Sequence, residues 1–185
     1  MIPMKNRRFF ARLGIGVALA AIIAAPLWMM GYRINETESL PVGIWRIVGA
    51  PGIAERGQIV NFCPPNTATL REARDRGYLH DGPCQGGLEP LFKPVVAVAG
   101  DIIEITDAGV AVNGQDIESS TPIKIDGRGM AMPRLQRGQY IVKPGQVWVV
   151  SSHTPYSFDS RYFGPVDVAA VAGRAIPIWI KDSEK

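Results

Sequence analysis

Residues 91–101 read Leu-Phe-Lys-Pro-Val-Val-Ala-Val-Ala-Gly-Asp. An apolar, β-branched run closed by Gly-Asp is a strand entering a turn, and the segments around it are built alike: short, rich in Val and Ile, bounded by Gly or Pro. Strands are expected at Gly43–Val48, Gln58–Phe62, Leu91–Ala99, Asp101–Thr106, Gly109–Val112, Gln139–Val142, Gln146–Ser151 and Val168–Ile180. Asn113-Gly114, between Val-Ala-Val and Gln-Asp-Ile, is the dipeptide of a type I′ hairpin turn. One helix is predicted, over Thr67–Arg76, where good helix formers precede Gly77. Residues 115–138, with Thr121-Pro122, Gly127, Gly129 and Pro133, read as an irregular excursion. The expected fold is therefore mainly β, with one short helix between the two cysteines.

The 185 residues, 46% hydrophobic and 20% charged, suffice for one globular domain and exclude a disordered or collagen-like chain. Residues 1–33 hold Lys5, Arg7, Arg8, Arg12 and Arg33 and no acid, leaving 15 basic against 17 acidic side chains in the other 152, a net of −2. The overall charge of +3 thus belongs to the N-terminus, and the body has no basic stripe to mark a nucleic-acid partner.

Leu13 to Gly31 is 19 residues without a charge, roughly 28 Å as a helix and about one hydrocarbon thickness. Basic residues on its N-terminal side leave 1–12 in the cytoplasm as a tail, make 13–32 a signal anchor in the inner membrane lipid, and send 33–185 across as the periplasmic domain. A removed leader, giving a soluble periplasmic body, is the alternative, although Pro26, Trp28, Met29 and Met30 fit a cleavage site poorly. In that oxidising space Cys63 and Cys84 are expected to form a disulfide, the alternative being two buried thiols. Cys63, Cys84, His80 and His153 show no short-spaced ligand pairs, so no metal and no cofactor is expected. His80 reads as a solvated loop residue, and His153, at the end of a strand, carries more weight than His80 for a site role.

Three stretches stand out: Thr37-Glu-Ser39-Leu-Pro-Val-Gly43, Lys93 to Asp101, and Ser157-Phe-Asp159-Ser-Arg161-Tyr-Phe-Gly-Pro165. Taken singly, Ser39 starts a turn before Pro41, Lys93 is a cation on an edge strand, and Asp159 and Arg161 make a surface turn. Their order and spelling together resemble the bacterial signal peptidase I family, serine peptidases with a Ser–Lys pair. Ser39-Leu-Pro is similar to that family's nucleophile box and Lys93-Pro-Val-Val-Ala-Val-Ala-Gly-Asp to its lysine box. Ser151–Arg161 aligns with its last box, matching at Ser157, Asp159, Ser160 and Arg161, with Ser152, His153 and Thr154 in place of the usual Asp-Asn-Arg. The short chain, the two cysteines and Ser39-Leu-Pro-Val-Gly-Ile-Trp45 resemble the conjugative transfer branch called TraF.

The resemblance implies a signal-peptidase-type antiparallel sheet behind one transmembrane helix, with residues 102–139 as a candidate lobe. It implies Ser39 as nucleophile and Lys93 as base, Ser157 orienting the Lys93 amine, and Asp159 with Arg161 bracing the loop. A carboxylate touching Lys93 would favour its charged form, so Asp159 is assigned to an ion pair with Arg161. The Ser39 N–H, and Thr37 through its hydroxyl, are the implied oxyanion donors. The implied substrate is a pilin precursor of a plasmid-transfer type IV secretion system, cut and in some members closed into a ring, with other components of the apparatus as partners. A general signal peptidase and a non-catalytic scaffold are the alternatives.

Overall fold

The computed structural model describes residues 14–16 and 21–181. The tail over 1–12 lies outside them, and the apolar segment over 13–32 lies partly so. Residues 14–16 and 21–29 are helical and exposed, Met29 by 85%. Among the described residues no helix is long and apolar enough to cross a membrane.

The body is mainly β. Seven antiparallel strands form the principal sheet: β1 (Tyr32–Asn35), β2 (Gly43–Val48), β3 (Ile59–Phe62), β5 (Leu91–Ala97), β10 (Gln146–Val149), β11 (Val166–Asp167) and β12 (Val171–Ile180), in the order β1-β2-β12-β3-β5-β10-β11. A second sheet holds β6 (Ile102–Ile105), β7 (Val110–Val112), β8 (Gln115–Asp116) and β9 (Gly138–Ile141), in the order β8-β7-β6-β9. The short β4 (Asp81–Cys84) meets Leu88 by isolated bridges.

Side chains alternate across a strand, and in β5 that alternation buries Leu91, Lys93, Val95 and Ala97 while Phe92, Pro94 and Val96 stay half-buried. Lys93 therefore faces the core. Pro94, which cannot donate to a ladder, stands where β5 leaves its pairing with β3 (Ile59↔Pro94) and takes up β10 (Val149↔Val95). The predicted strand over Leu91–Ala99 stops at Ala97 because Asp101 turns the chain. Its carboxylate accepts from the Val98 N–H at 2.7 Å and from Asn113 Nδ2 at 2.9 Å, and pairs with Arg56. Asn113 Oδ1 in turn accepts from the Ile102 N–H at 2.9 Å, so the Gly-Asp corner and the Asn113-Gly114 turn (φ +52° and +80°) lock the two sheets together.

Helix α1 (Ala68–Asp75) is capped by Thr67, whose Oγ1 accepts from the Leu70 N–H at 3.3 Å, and buries Leu70 and Ala73. Cys63 and Cys84 form the expected disulfide, Cα to Cα 5.6 Å, closing the segment that carries α1. Four elements fell outside the predicted segments: β1, directly after the apolar segment; β4, whose Asp-Gly-Pro-Cys lacks β-forming residues; α2 (Ser160–Phe163); and β11, just before the strand read from Val168. The predicted strand from Val168 begins at Val171, after a single 3-10 turn over Val168–Ala170.

The disulfide closes a loop with a sequence separation of 21. Its replacement by Cys63→Ala with Cys84→Ala is expected to cost about 3 kcal/mol in urea denaturation of the folded domain.

Candidate active site

The loop between β1 and β2 presents Ser39. Asn35, the last residue of β1, is buried, and its side-chain nitrogen lies 2.9, 3.1 and 3.2 Å from the carbonyl oxygens of Thr37, Leu40 and Pro41. Leu40 is buried in a small cluster with Trp45 and Ala175, and Trp45 Nε1 donates to the Pro41 carbonyl at 3.2 Å. At Gly43 a Cβ would stand 2.2 Å from the Trp179 carbonyl oxygen, so only glycine lets β12 pass this close to the end of the loop. The turn is thus fixed by an amide, an apolar plug and a close backbone approach, with Ser39 half-buried.

Ser39 and Lys93 line one cleft of about 510 Å³. Its other walls come from Tyr78 to His80 after α1, from Ile123, Ile125 and Met132 of the excursion, and from the loop that follows β10. The excursion is strapped in place: Tyr78 Oη bonds Asp126, Arg76 Nη1 donates to the Ala131 carbonyl at 2.8 Å, and the Ile123 N–H donates to Tyr162 Oη at 3.0 Å.

Lys93 is only 4% exposed. Burial penalises the ammonium and lowers its pKa to about 8, against opposing pulls from Asp159 and Glu89 and with help from Arg161. Asp159 and Arg161, both wholly buried, form a two-pronged ion pair, Arg161 Nε to Oδ1 and Nη2 to Oδ2 each at 2.8 Å. Arg161 also donates to the carbonyls of Ser157 at 2.9 Å and Ser119 at 3.2 Å, tying the loop after β10 to the excursion. Ser160 Oγ accepts from the Val149 N–H at 3.0 Å, which seats α2 against β10.

Two implied contacts are not made in this structure. The Ser157 hydroxyl is buried without a hydrogen-bond partner, so in this structure it makes no bond to the Lys93 amine. The Thr37 hydroxyl donates to Asn35 Oδ1 at 2.9 Å in this structure. His153 is exposed and apart from the residues lining the cleft, whereas His80, also exposed, lines it. Ser151 escaped the sequence reading. It is fully buried, its Oγ donates to the Ser39 carbonyl at 2.5 Å, and its N–H donates to Asp159 Oδ2 at 3.0 Å. The first residue of the Ser151–Arg161 block gave only its position as a signal. A hydroxyl and an amine held partly neutral, opening on one cleft with apolar walls, can perform base-assisted nucleophilic attack on a bound chain.

A family model described as signal peptidase, peptidase S26, matches residues 6–180. The chain is 39% identical over 164 residues to the plasmid transfer protein TraF of Escherichia coli, covering 86% of this chain and 91% of that one. It is 40% identical over 177 residues to the conjugal transfer protein TraF of Agrobacterium tumefaciens (95% and 98%) and 45% identical over 162 residues to a probable conjugal transfer protein TraF of Sinorhizobium fredii (85% and 81%). Among solved structures it is similar to a signal peptidase I of Enterococcus faecalis, 18% identical with a TM-score of 0.38, covering 68% of this chain and 98% of that one.

Between about pH 8 and about 10.4 the unfolded chain keeps the Lys93 proton that the folded chain has released, so stability should rise with pH across that window. Lys93→Met should abolish that rise and be more stable at pH 7 by on the order of 3 kcal/mol, read from denaturation midpoints at matched pH.

Proposed function

The chain belongs to the signal peptidase family, peptidase S26, among the plasmid and conjugal transfer proteins called TraF, and from that premise we propose that it is a serine endopeptidase working with Ser39 and Lys93. The observation that carries this reading is a lysine buried on the core face of a strand and opening on the same cleft as a serine in a rigid turn. At a pKa of about 8, about a tenth of Lys93 is neutral at pH 7, against about 0.04% of an ordinary lysine.

Neutral Lys93 takes the Ser39 proton as Ser39 Oγ bonds to the scissile carbonyl carbon, and the Ser39 N–H offers a hydrogen bond to the oxyanion. Lys93 then returns the proton to the leaving amine as the C–N bond breaks, leaving an ester on Ser39. Water attacking that ester, with Lys93 again as base, gives the cut chain. An amine attacking in its place gives a new peptide bond, and a ring when that amine belongs to the same chain.

The proposed substrate is a pilin precursor of a plasmid-transfer apparatus, in keeping with the names carried by the relatives, and the transfer apparatus is the proposed setting. The uncharged segment over 13–31 is proposed as an anchor in the inner membrane with the body in the periplasm. Ser39, eight residues after Gly31, then stands at most about 28 Å from the membrane end, which suits a membrane-inserted substrate.

Wild type, Ser39→Ala and Lys93→Ala, in detergent, are to be incubated with the pilin precursor encoded beside the gene and read by intact mass. Only wild type should shorten it, with kcat/KM rising about tenfold per pH unit up to about pH 8. A product one water lighter than the linear fragment marks ring closure. Equal shortening by all three, or by none when each is folded, overturns the peptidase reading and favours a scaffold role.

A further inference from the structure

Asn35 binds the carbonyls of Thr37, Leu40 and Pro41 and leaves that of Ser39. The missing hold comes from Ser151, 112 residues away in sequence, whose Oγ lies 2.5 Å from the Ser39 carbonyl oxygen. Ser151 is itself immobilised on both sides. Its N–H donates to Asp159 Oδ2 at 3.0 Å, and its Oγ accepts from the His153 N–H at 3.2 Å. The preceding residue, Val150, donates its N–H to the Pro94 carbonyl at 3.2 Å, one residue from Lys93.

The Ser39 turn and the Lys93 strand are therefore joined by a continuous link: Lys93 on β5, Pro94 to Val150, then Ser151 to Ser39, with the Arg161–Asp159 pair holding Ser151 from behind. Rotation about the Ser39 backbone would swing the nucleophile away from the base, and the Ser151 hydroxyl is the one side chain described as gripping that carbonyl. We propose that Ser151 is a positioning residue that sets the placement of Ser39 relative to Lys93. The proposal rests on the peptidase reading above. It also gives the buried ion pair a role at the site: Arg161 fixes Asp159, Asp159 fixes Ser151, and Ser151 fixes the nucleophile, with neither charged group touching substrate.

The test uses the full chain in detergent and an internally quenched peptide spanning the processing site of the pilin precursor encoded beside the gene. Ser151→Ala removes the hydroxyl, Ser151→Gly does so with still less bulk, and Ser151→Thr retains it. In the alanine and glycine variants kcat per folded molecule should fall about tenfold or more, with KM within about twofold and the acid limb of the pH profile unmoved. Threonine should recover most of the loss. Wild-type kcat per folded molecule in the alanine and glycine variants, or an equal loss in the threonine variant, overturns the proposal alone. An intact peptide after incubation with wild type removes the peptidase reading and the proposal with it.

Discussion

A lysine on the core face of a central strand is the constraint around which this protein is arranged. An isolated ammonium in an apolar interior is expensive, and the chain meets that cost by lowering the proton affinity of Lys93 instead of giving it a carboxylate partner. Leu91, Val95 and Ala97 share its face of β5 and are buried with it. Asp159 is near enough to pull the amine back toward its charged form, and the two hydrogen bonds from Arg161 offset that pull. The Asp159–Arg161 pair can thus be buried near Lys93 while the amine's proton affinity stays low.

Much of the remaining structure holds Ser39 and Lys93 on one cleft. The β1–β2 loop is gripped by Asn35 and plugged by Leu40 against Trp45, and the loop after β10 reaches across through Ser151. At the far end of β5, Asp101, Asn113 and Arg56 stop the strand and fasten the second sheet. On the opposite side of the cleft, the disulfide and α1 support Tyr78, which holds the excursion through Asp126. Five stretches far apart in sequence meet there, and polar contacts to main-chain groups make many of the joints.

That division explains what could be read from the residues alone. Segments such as Gly43–Val48, with Val and Ile between Gly boundaries, announced themselves as strands, and Thr67 with Gly77 framed α1. β4 could not be foreseen, because Asp-Gly-Pro-Cys is held by bridges to Leu88 and not by its own propensity. At the site, Ser39, Lys93, Asp159 and Arg161 were legible through their spelling and order. Asn35 and Ser151 were not, since a side chain that bonds a main-chain carbonyl, whether within its own loop or 112 residues away, leaves no periodic trace. The proximity of Thr37 to Ser39 in sequence likewise gave no sign that its hydroxyl bonds Asn35.

The central claim is that Lys93 loses its proton well below the range of an ordinary lysine while it shares a cleft with Ser39. The most direct measurement is an NMR titration of the Lys93 side-chain nitrogen in 15N-lysine-labelled Ser39→Ala protein, with Lys93→Met identifying the resonance. The account predicts a midpoint near pH 8. A midpoint at about 10.4, that of an ordinary solvated lysine, would contradict it.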